Sequence, residues 1–525
     1  MKTLIFCLLL IVSIPASSQK RNLYFSVENV GIRITDKKII QGKCYEPGGR
    51  IEQIFPDSTT HLLYVWLRDL SPNGEFLERK GEFLVIDPTT QTELWRKEFD
   101  YLQEHIKSFP KHLLFVRKNK STLFDKYTGK EIWKKKIVPF TTHYDPHYML
   151  GLKGLNTLVR INIPNGEITW QRQIKHKFGW NSKSTINDST YLIYADALHL
   201  IHLNDGTGPS YKIKTGTYDH KGIPYGIIFS IFSMGTTIPI FINPINTASN
   251  AIYQDSVIYL AGRKEIACLN SKTLHPIWKN NLNGKTLTCS NLFTLGDRLY
   301  LINKGYAHST PYFNASSQTG TSFLASFNRH TGKTISLHEL SGKIVNAFRL
   351  NEDTLCLWNN QGIYSYSISY DLPPKYFAWD IKKHGKIRGK VYNSLYWSTF
   401  PQSHAFPIPQ GIDHGILYTD RGISYEIDGQ LHIIHEYTLL DLYSRAFEWN
   451  NHIFIQGYTN YLITSDSYLL DQEGKKTGSF KIKSPVCYRR DTLYAIDGEA
   501  KKIIILNLPE YFAPSGTESG IPTEE

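Results

Sequence analysis

The chain has little cysteine and no cysteine motif. Its 525 residues include 6 cysteines, which are widely spaced and never adjacent. Zinc sites and c-type haem attachment use Cys-x-x-Cys spacings, and the sequence contains none, so it gives no support for either site. An exported chain could form disulfides, but we predict that these mostly strand-embedded cysteines are core residues.

Long apolar runs are also scarce. The clearest run is Leu4–Ile14, which follows Lys2 and precedes the small residues Ala16, Ser17 and Ser18. This order is typical of a secretory signal peptide, and the run is too short to span a bilayer as a helix. We therefore predict a signal peptide over residues 1–18 and no transmembrane segment in the mature chain. We expect export to the periplasm or the outside of a cell of the Gram-negative type.

Negative charge is in deficit. The chain holds 59 Lys and Arg against 47 Asp and Glu, a formal net charge of +12, and the basic residues are spread along the chain. Such a surface could attract acidic glycans, or it could keep exposed strand edges from pairing with other molecules. Export makes nucleic acid a poor candidate partner.

A repeated phrase is what the sequence does have. In each copy an apolar strand ends on Asp or Asn, a polar turn follows, and in four copies a Trp stands eight residues after the Asp or Asn. The Asp or Asn side chain can bond the turn backbone, Gly suits a left-handed turn, and Trp can seal one unit against the next. The predicted structural positions are Asp87, Trp95, Asp125, Gly129, Trp133, Asn162, Gly166, Trp170, Asn270, Trp278, Asn328 and Gly332.

The spacing of the phrase predicts the architecture. Trp95, Trp133 and Trp170 are separated by about the length of one four-stranded propeller blade. The pattern resembles the PQQ-like (quinoprotein-like) β-propeller repeat family over roughly residues 50–508. The resemblance implies an all-β propeller of about eight four-stranded blades, with a range of seven to ten. We expect residues 19–508 to form it, with an N-terminal strand completing the last blade, and residues 509–525 to be a disordered tail.

The family includes quinone-dependent dehydrogenases and cofactor-free scaffolds. The dehydrogenases carry two adjacent cysteines and a set of calcium ligands, and neither can be mapped onto this sequence. We therefore predict the cofactor-free branch, with no catalytic, cofactor-binding or metal-binding residue. The alternative is a lyase or hydrolase of acidic polysaccharides that uses histidines near the ring axis. The histidine pairs considered for that role are His143 and His147, His199 and His202, and His432 and His435.

The leading hypothesis is an exported, non-enzymatic scaffold that binds a protein or an acidic glycan of the cell envelope. Recognition is expected where the repeat breaks down, in loops over Tyr218–Asn250, Ser309–Ser322 and Tyr396–Gly411. Aromatic and histidine side chains in two of these loops suit such contacts. The candidate binding residues are Tyr312, Phe313, Trp397, Phe400, His404 and Phe406.

Overall fold

Strands make up nearly all of the regular structure in this computed structural model. It describes residues 21–512, apart from 58, 75, 141–144, 146, 220–242, 310–315, 345, 350–352, 360, 388–414, 420, 422, 428–431, 438–444, 450–451, 460–461, 472–474 and 490. The helical elements described are α1 (Ile381–His384), α2 (Pro509–Phe512) and a single 3-10 turn at Leu282–Gly284. Among these residues no helix is long and apolar enough to cross a membrane.

The strands form antiparallel meanders that follow one another along the chain. The N-terminal segment supplies β1 (Arg21–Asn22), β2 (Ser26–Arg33) and β3 (Ile39–Tyr45). The first to fourth meanders contain β4 (Ile51–Pro56), β5 (Leu63–Leu67), β6 (Lys80–Asp87), β7 (Thr92–Asp100); β8 (Glu104–Ser108), β9 (His112–Arg117), β10 (Lys120–Asp125), β11 (Glu131–Lys135); β12 (Val138–Pro139), β13 (Tyr148–Lys153), β14 (Thr157–Asn162), β15 (Ile168–Gln173); and β16 (Ser182–Asn187), β17 (Thr190–Tyr194), β18 (Ala197–His202), β19 (Ser210–Lys212).

An inserted pair, β20 (Gly216–Asp219) and β21 (Asn243–Asn246), precedes the fifth meander. The fifth to seventh meanders contain β22 (Ile252–Gln254), β23 (Val257–Ala261), β24 (Ile266–Asn270), β25 (Pro276–Asn280); β26 (Ser290–Leu295), β27 (Arg298–Ser309), β28 (Ser316–Asn328), β29 (Thr334–Leu340); and β30 (Asn346–Arg349), β31 (Thr354–Trp358), β32 (Gly362–Ser367), β33 (Lys375–Ala378). The eighth to tenth contain β34 (Gly415–Tyr418), β35 (Ser424–Ile427), β36 (Ile433–Tyr437); β37 (Arg445–Trp449), β38 (His452–Thr459), β39 (Leu462–Leu470), β40 (Lys476–Phe480); and β41 (Ile482–Arg489), β42 (Thr492–Asp497), β43 (Ile503–Asn507).

The hydrophobic core is divided between neighbouring meanders. Each buried cluster joins two successive units; Trp133 of the second meander, for example, packs with Val159 and Ile161 of the third. Another cluster joins the last meander to the first, where Ile496 and Ile503 pack with Ile51 and Ile54 of β4. Units that bury their faces against both neighbours, with the last packed on the first, form the ring of a β-propeller.

The N-terminal strands close the ring. β3 pairs with β43 and becomes the fourth strand of the tenth meander, through Lys43 opposite Ile505. β2 pairs with β40 of the ninth meander, and β1 pairs with β7 of the first. The sequence led us to expect an N-terminal strand in the last blade; here one segment connects three meanders. Ten meanders can be followed in the described residues, which is the upper limit of the predicted range.

The predicted disordered tail begins too early. Residues 509–512 form α2, and Tyr511 is buried among Ile40, Leu506 and Leu508. The Tyr511 hydroxyl accepts a hydrogen bond from the Gln41 amide at 3.1 Å, and the Arg33 guanidinium donates to the Tyr511 carbonyl. The tail prediction is therefore wrong for these four residues, because their docking site is built by β2 and β3 from the other end of the chain.

Candidate functional site

The repeat tryptophans dock onto the next meander. In each case the indole N–H donates to a backbone carbonyl of the next meander, that of the residue directly after the last residue of the repeat strand. Trp95 donates to Lys126 at 2.9 Å, and Trp133 donates to Ile163 at 2.6 Å. Trp170 and Trp278 donate to Leu203 and Arg329 at 2.7 and 2.9 Å. All four rings are at most 9% exposed, so each buries apolar area and satisfies its one polar atom at the same time.

The turn that receives each tryptophan has a fixed geometry. Asp125 accepts from the amides of Tyr127 and Thr128 at 3.1 and 2.8 Å, and the amide of Gly129 donates to the Asp125 carbonyl at 3.0 Å. The fourth residue after the strand end has a positive φ in seven meanders, whether or not it is glycine. These residues are Gln91, Gly129, Gly166, Gly206, Leu274, Gly332 and Asp371.

Glycine is present at this position wherever a Trp ring lies above it. A Cβ on Gly129 would lie 2.8 Å from two atoms of the Trp95 ring. Gly166, Gly206 and Gly332 have the same relation to Trp133, Trp170 and Trp278, respectively. Where the preceding outer strand has Ser336 in place of Trp, the receiving residue is Asp371, and the Ser336 hydroxyl donates to it at 2.7 Å. The glycine is therefore required by the docked ring more than by the backbone angle alone.

Sequence reasoning missed one copy of this turn. None of the predicted positions lies in the fourth meander, where the Gly206 amide donates to the carbonyl of His202, the position equivalent to Asp125. Gly206, which receives Trp170, was not among the predicted positions. The available signal was a glycine four residues after a strand end, but His at the lead position concealed it.

A buried ion pair joins the first two meanders. The Lys126 ammonium lies 2.7 Å from an Asp57 carboxylate oxygen, and both side chains are 0% exposed. Ser108 also donates to Asp57 at 3.0 Å, and Thr59 lies 3.2 Å from the ammonium. Burial lowers the pKa of Lys126, and this effect outweighs the hydrogen bond to Asp57, which raises it. Burial alone would raise the pKa of Asp57, but hydrogen bonds from Lys126 and neighbouring groups hold that pKa below its usual value.

Two lysines lie on strands beside the ring axis. The first strands of the first and last meanders, β4 and β41, contact each other, so this edge of each meander faces inward. Lys107 is on β8 and Lys183 on β16, the first strands of the second and fourth meanders. Lys183 donates to the Phe140 carbonyl at 3.2 Å and lies 4.2 Å from the centre of the Phe140 ring. Burial lowers the pKa of each lysine to about 8, with a further contribution from Lys107 for Lys183.

A projecting sheet extends beyond the sixth meander. β27 and β28 are 12 and 13 residues long, and β21 pairs with the far end of β27 through Ile245 opposite Ser309. β20 pairs with β21 in turn. We call β20, β21 and the ends of β27 and β28 beyond Gly305 and Gly320 the hairpin sheet. The predicted loop over Ser309–Ser322 is therefore wrong for Ser309 and 316–322, which are strand residues.

The base of the hairpin sheet is firmly held. The buried Asn303 side-chain carbonyl accepts from the Thr288 amide at 2.7 Å and from the Ser290 hydroxyl at 2.9 Å. Its amide group donates to the Thr321 carbonyl at 2.7 Å. Tyr306, beyond the base, is 2% exposed. The hairpin is thus an ordered projection of the blade at least as far as Tyr306.

The predicted binding side chains lie outside the described residues. Tyr312 and Phe313 fall in 310–315, and Trp397, Phe400, His404 and Phe406 fall in 388–414. His143 is also outside, whereas His199 bonds the Ser210 hydroxyl at 2.7 Å. Within the described part of the chain, no three His, Cys, Asp or Glu side chains are grouped closely enough to hold a metal ion.

The described residues do not fit a quinone site of the dehydrogenase kind. Cys44, Cys268, Cys289 and Cys356 are free thiols. They are far apart in the sequence, so no two of them form the adjacent cysteine pair of those dehydrogenases. Burial raises the pKa of Cys44 and Cys268 to about 11 and that of Cys356 to about 12. These thiols therefore stay protonated near neutral pH, as core cysteines do.

A family model places the repeat among known proteins. The model described as "Outer membrane protein assembly factor BamB", of the PQQ-like repeat type, matches residues 79–217. Residues 79–217 belong to the PQQ-like repeat family. The match spans most of the first four meanders, and the same Trp–Gly docking at Trp278 and Gly332 continues the PQQ-like repeat outside it.

Solved structures similar to this chain include BamB from Moraxella catarrhalis, which is 11% identical, with 77% of this chain and 96% of that chain covered and a TM-score of 0.32. The designed Ika8 protein is 7% identical, with 77% and 96% covered and a TM-score of 0.31. A europium-containing methanol dehydrogenase is 8% identical, with 63% and 80% covered and a TM-score of 0.27. No curated protein sequence matches the chain.

Proposed function

We propose that this chain is an exported β-propeller scaffold of the cell envelope that binds a protein partner through the hairpin sheet. The family match is the main support for the proposal, because the description of the matching model names an assembly factor of the outer membrane. The repeat positions also support the proposal. Their side chains join neighbouring meanders, so recognition is expected in the irregular parts of the ring.

The hairpin sheet is the best candidate for the binding element. It departs from the four-stranded plan, it combines strands from two distant parts of the sequence, and the Asn303 network holds its base. A rigid projection on a rigid ring can bind a partner with little loss of conformational freedom. An anchored strand pair also presents backbone groups that a partner strand can use.

Shortening the tip of the hairpin tests this proposal. Replacing residues 310–315 with Asn-Gly keeps Ser309, which pairs with Ile245, keeps the pairing of His308 with Ser316, and leaves the buried Tyr306 in place. We expect the variant to keep the denaturation midpoint of the wild type while losing a partner that co-purifies with the wild type from the native host. The control is Leu155→Ser at another hairpin tip, where Leu155 is 80% exposed. Equal recovery of the partner by all three chains would reject the hairpin sheet as the binding element.

The axial lysines favour one further candidate function. Lys107 and Lys183 place positive charge beside the ring axis, where an acidic polysaccharide could enter. The test is incubation with polygalacturonate, with binding and the release of unsaturated products measured. A scaffold releases none. Product release that disappears in K107M/K183M would support a lyase in place of the scaffold.

A further inference from the structure

The outer edge of the seventh meander exposes an unusual group of large apolar side chains. Four of them fall within residues 370–377: Tyr370, Leu372, Tyr376 and Phe377 are 75%, 58%, 44% and 39% exposed. Tyr376 and Phe377 belong to β33, whose four residues are all exposed. Successive strand residues point to opposite faces, so Tyr376 and Phe377 expose apolar area on both sides of this edge. Exposed apolar side chains clustered in this way make the edge a candidate interaction site.

The outer strands of the first, second, ninth and tenth meanders are protected in ways that β33 is not. The N-terminal strands β1, β2 and β3 cover the outer strands of the first, ninth and tenth meanders. The outer strand β11 carries Glu131, Lys134 and Lys135, which discourage pairing. β33 is the last strand in the described order of its sheet and presents two aromatic rings. An edge with these properties is a template for an added strand.

Positive charge is fixed beside this edge. Lys382 and Lys383 are exposed on α1, and the Arg421 guanidinium donates to their carbonyls at 2.8 and 2.9 Å. The Asp380 side chain caps the same turn by accepting from the Lys383 amide at 3.0 Å. Lys375 is exposed on β33 itself. Within the described part of the chain none of these three lysines forms an ion pair.

Aromatic contacts hold the basic turn between the seventh and eighth meanders. The Trp379 indole donates to the Gly385 carbonyl at 2.7 Å, and its ring meets the Tyr425 ring edge-on at 5.5 Å between centres. His384 also contacts Tyr425, at 5.0 Å. The lysines are therefore carried by a turn of defined position, so the charge is preorganised for a partner.

We propose that β33 and α1 bind an acidic, extended segment of a partner protein, which adds to the sheet as a strand beyond β33. A second copy of this chain is a poor occupant, because it carries a net charge of +12 and the same basic turn. A polysaccharide lacks the row of backbone N–H and C=O groups that a strand edge pairs with. The inference rests on the proposed scaffold function but concerns a surface separate from the hairpin sheet.

A synthetic peptide that alternates glutamate with valine is the probe for this edge. The wild-type chain should bind it, with weaker binding at high salt, and K382E/K383E should weaken binding about tenfold. K134E/K136E, which makes the same charge change at exposed lysines of the second meander, should bind like the wild type. Peptide binding should also slow amide hydrogen exchange in residues 375–378, as expected for strand addition.

Three outcomes overturn the proposal: no peptide binding by the wild type, equal weakening in both variants, or binding without protection of 375–378. Binding of polygalacturonate alone, lost in K382E/K383E, would overturn the partner class and point to a glycan. Partner capture through the hairpin sheet is measured with different variants. The result of that experiment is therefore independent of the peptide-binding result at β33.

Discussion

The docked tryptophans predict a difference between two glycine substitutions with the same backbone geometry. Gly129 has φ +67° beneath the Trp95 ring, and Gly154 has φ +68° with nothing within 4 Å of an added Cβ. Alanine at either site adopts a left-handed conformation at a cost of about 1 kcal/mol. At Gly129 the new Cβ would also lie 2.8 Å from the ring, and relieving such overpacking costs about 1–3 kcal/mol more.

Urea unfolding followed by tryptophan fluorescence measures the difference. We expect Gly129→Ala to lower the free energy of unfolding by about 2–4 kcal/mol and Gly154→Ala by about 1 kcal/mol. In a Trp95→Leu background, which leaves room for the methyl group, Gly129→Ala should cost no more than Gly154→Ala. Equal costs for the two glycine variants in the wild-type background would refute the argument that the ring, and not the backbone angle, requires glycine.

Three further predictions concern buried charge and ring closure. Asp57→Asn leaves the Lys126 charge buried without its carboxylate and should destabilise the chain by about 3–5 kcal/mol, whereas D57N/K126M should recover most of that loss in urea unfolding. The folded-state pKa of Lys183 is about 8, below its ordinary 10.5, so the unfolded chain binds more protons between these two values and the free energy of unfolding should rise with pH across that window. Lys183→Met should reduce this rise by on the order of 1 kcal/mol, because solvent reaches the side chain. An unchanged pH profile would contradict the assignment. Tyr511→Ala removes the contact between α2 and the N-terminal strands and should lower the free energy of unfolding by about 3 kcal/mol. Amide hydrogen exchange should increase first in residues 39–45, and unchanged exchange there would contradict the described closure of the ring by the N-terminal strands.

The repeat could be recognised in the sequence because its structural rules are local. The turn from Asp125 to Gly129 and the strands around it are built from neighbouring residues, so the all-β class and the repeat follow from the pattern. The number of meanders was harder to predict, because in some meanders other residues replace the Trp and the Gly that it contacts in the next meander. Ser336 and Asp371 replace a Trp–Gly pair by a hydrogen bond, and either residue alone carries no repeat signal.

The errors arose where the structure depends on distant residues. Residues 316–322 are rich in Ser, Thr and Gly, a loop-like composition, yet they are strand because β27 pairs with them and Asn303 anchors Thr321. Tyr511 is ordered by Arg33 and Gln41, which lie at the opposite end of the chain. The aromatic and basic edge at β33 was not predicted either, since exposure of Tyr376 depends on which strand ends its sheet.

The most direct test of the scaffold account is site-specific photo-crosslinking in the native host. A photoreactive residue is placed at position 318 of the hairpin sheet, at position 376 of β33, or at position 155 as the control. The account predicts that positions 318 and 376 each crosslink to a protein of defined mass and that position 155 does not. Crosslinking at position 155 alone, or at none of the three, would contradict the claim that this propeller is a protein-binding scaffold.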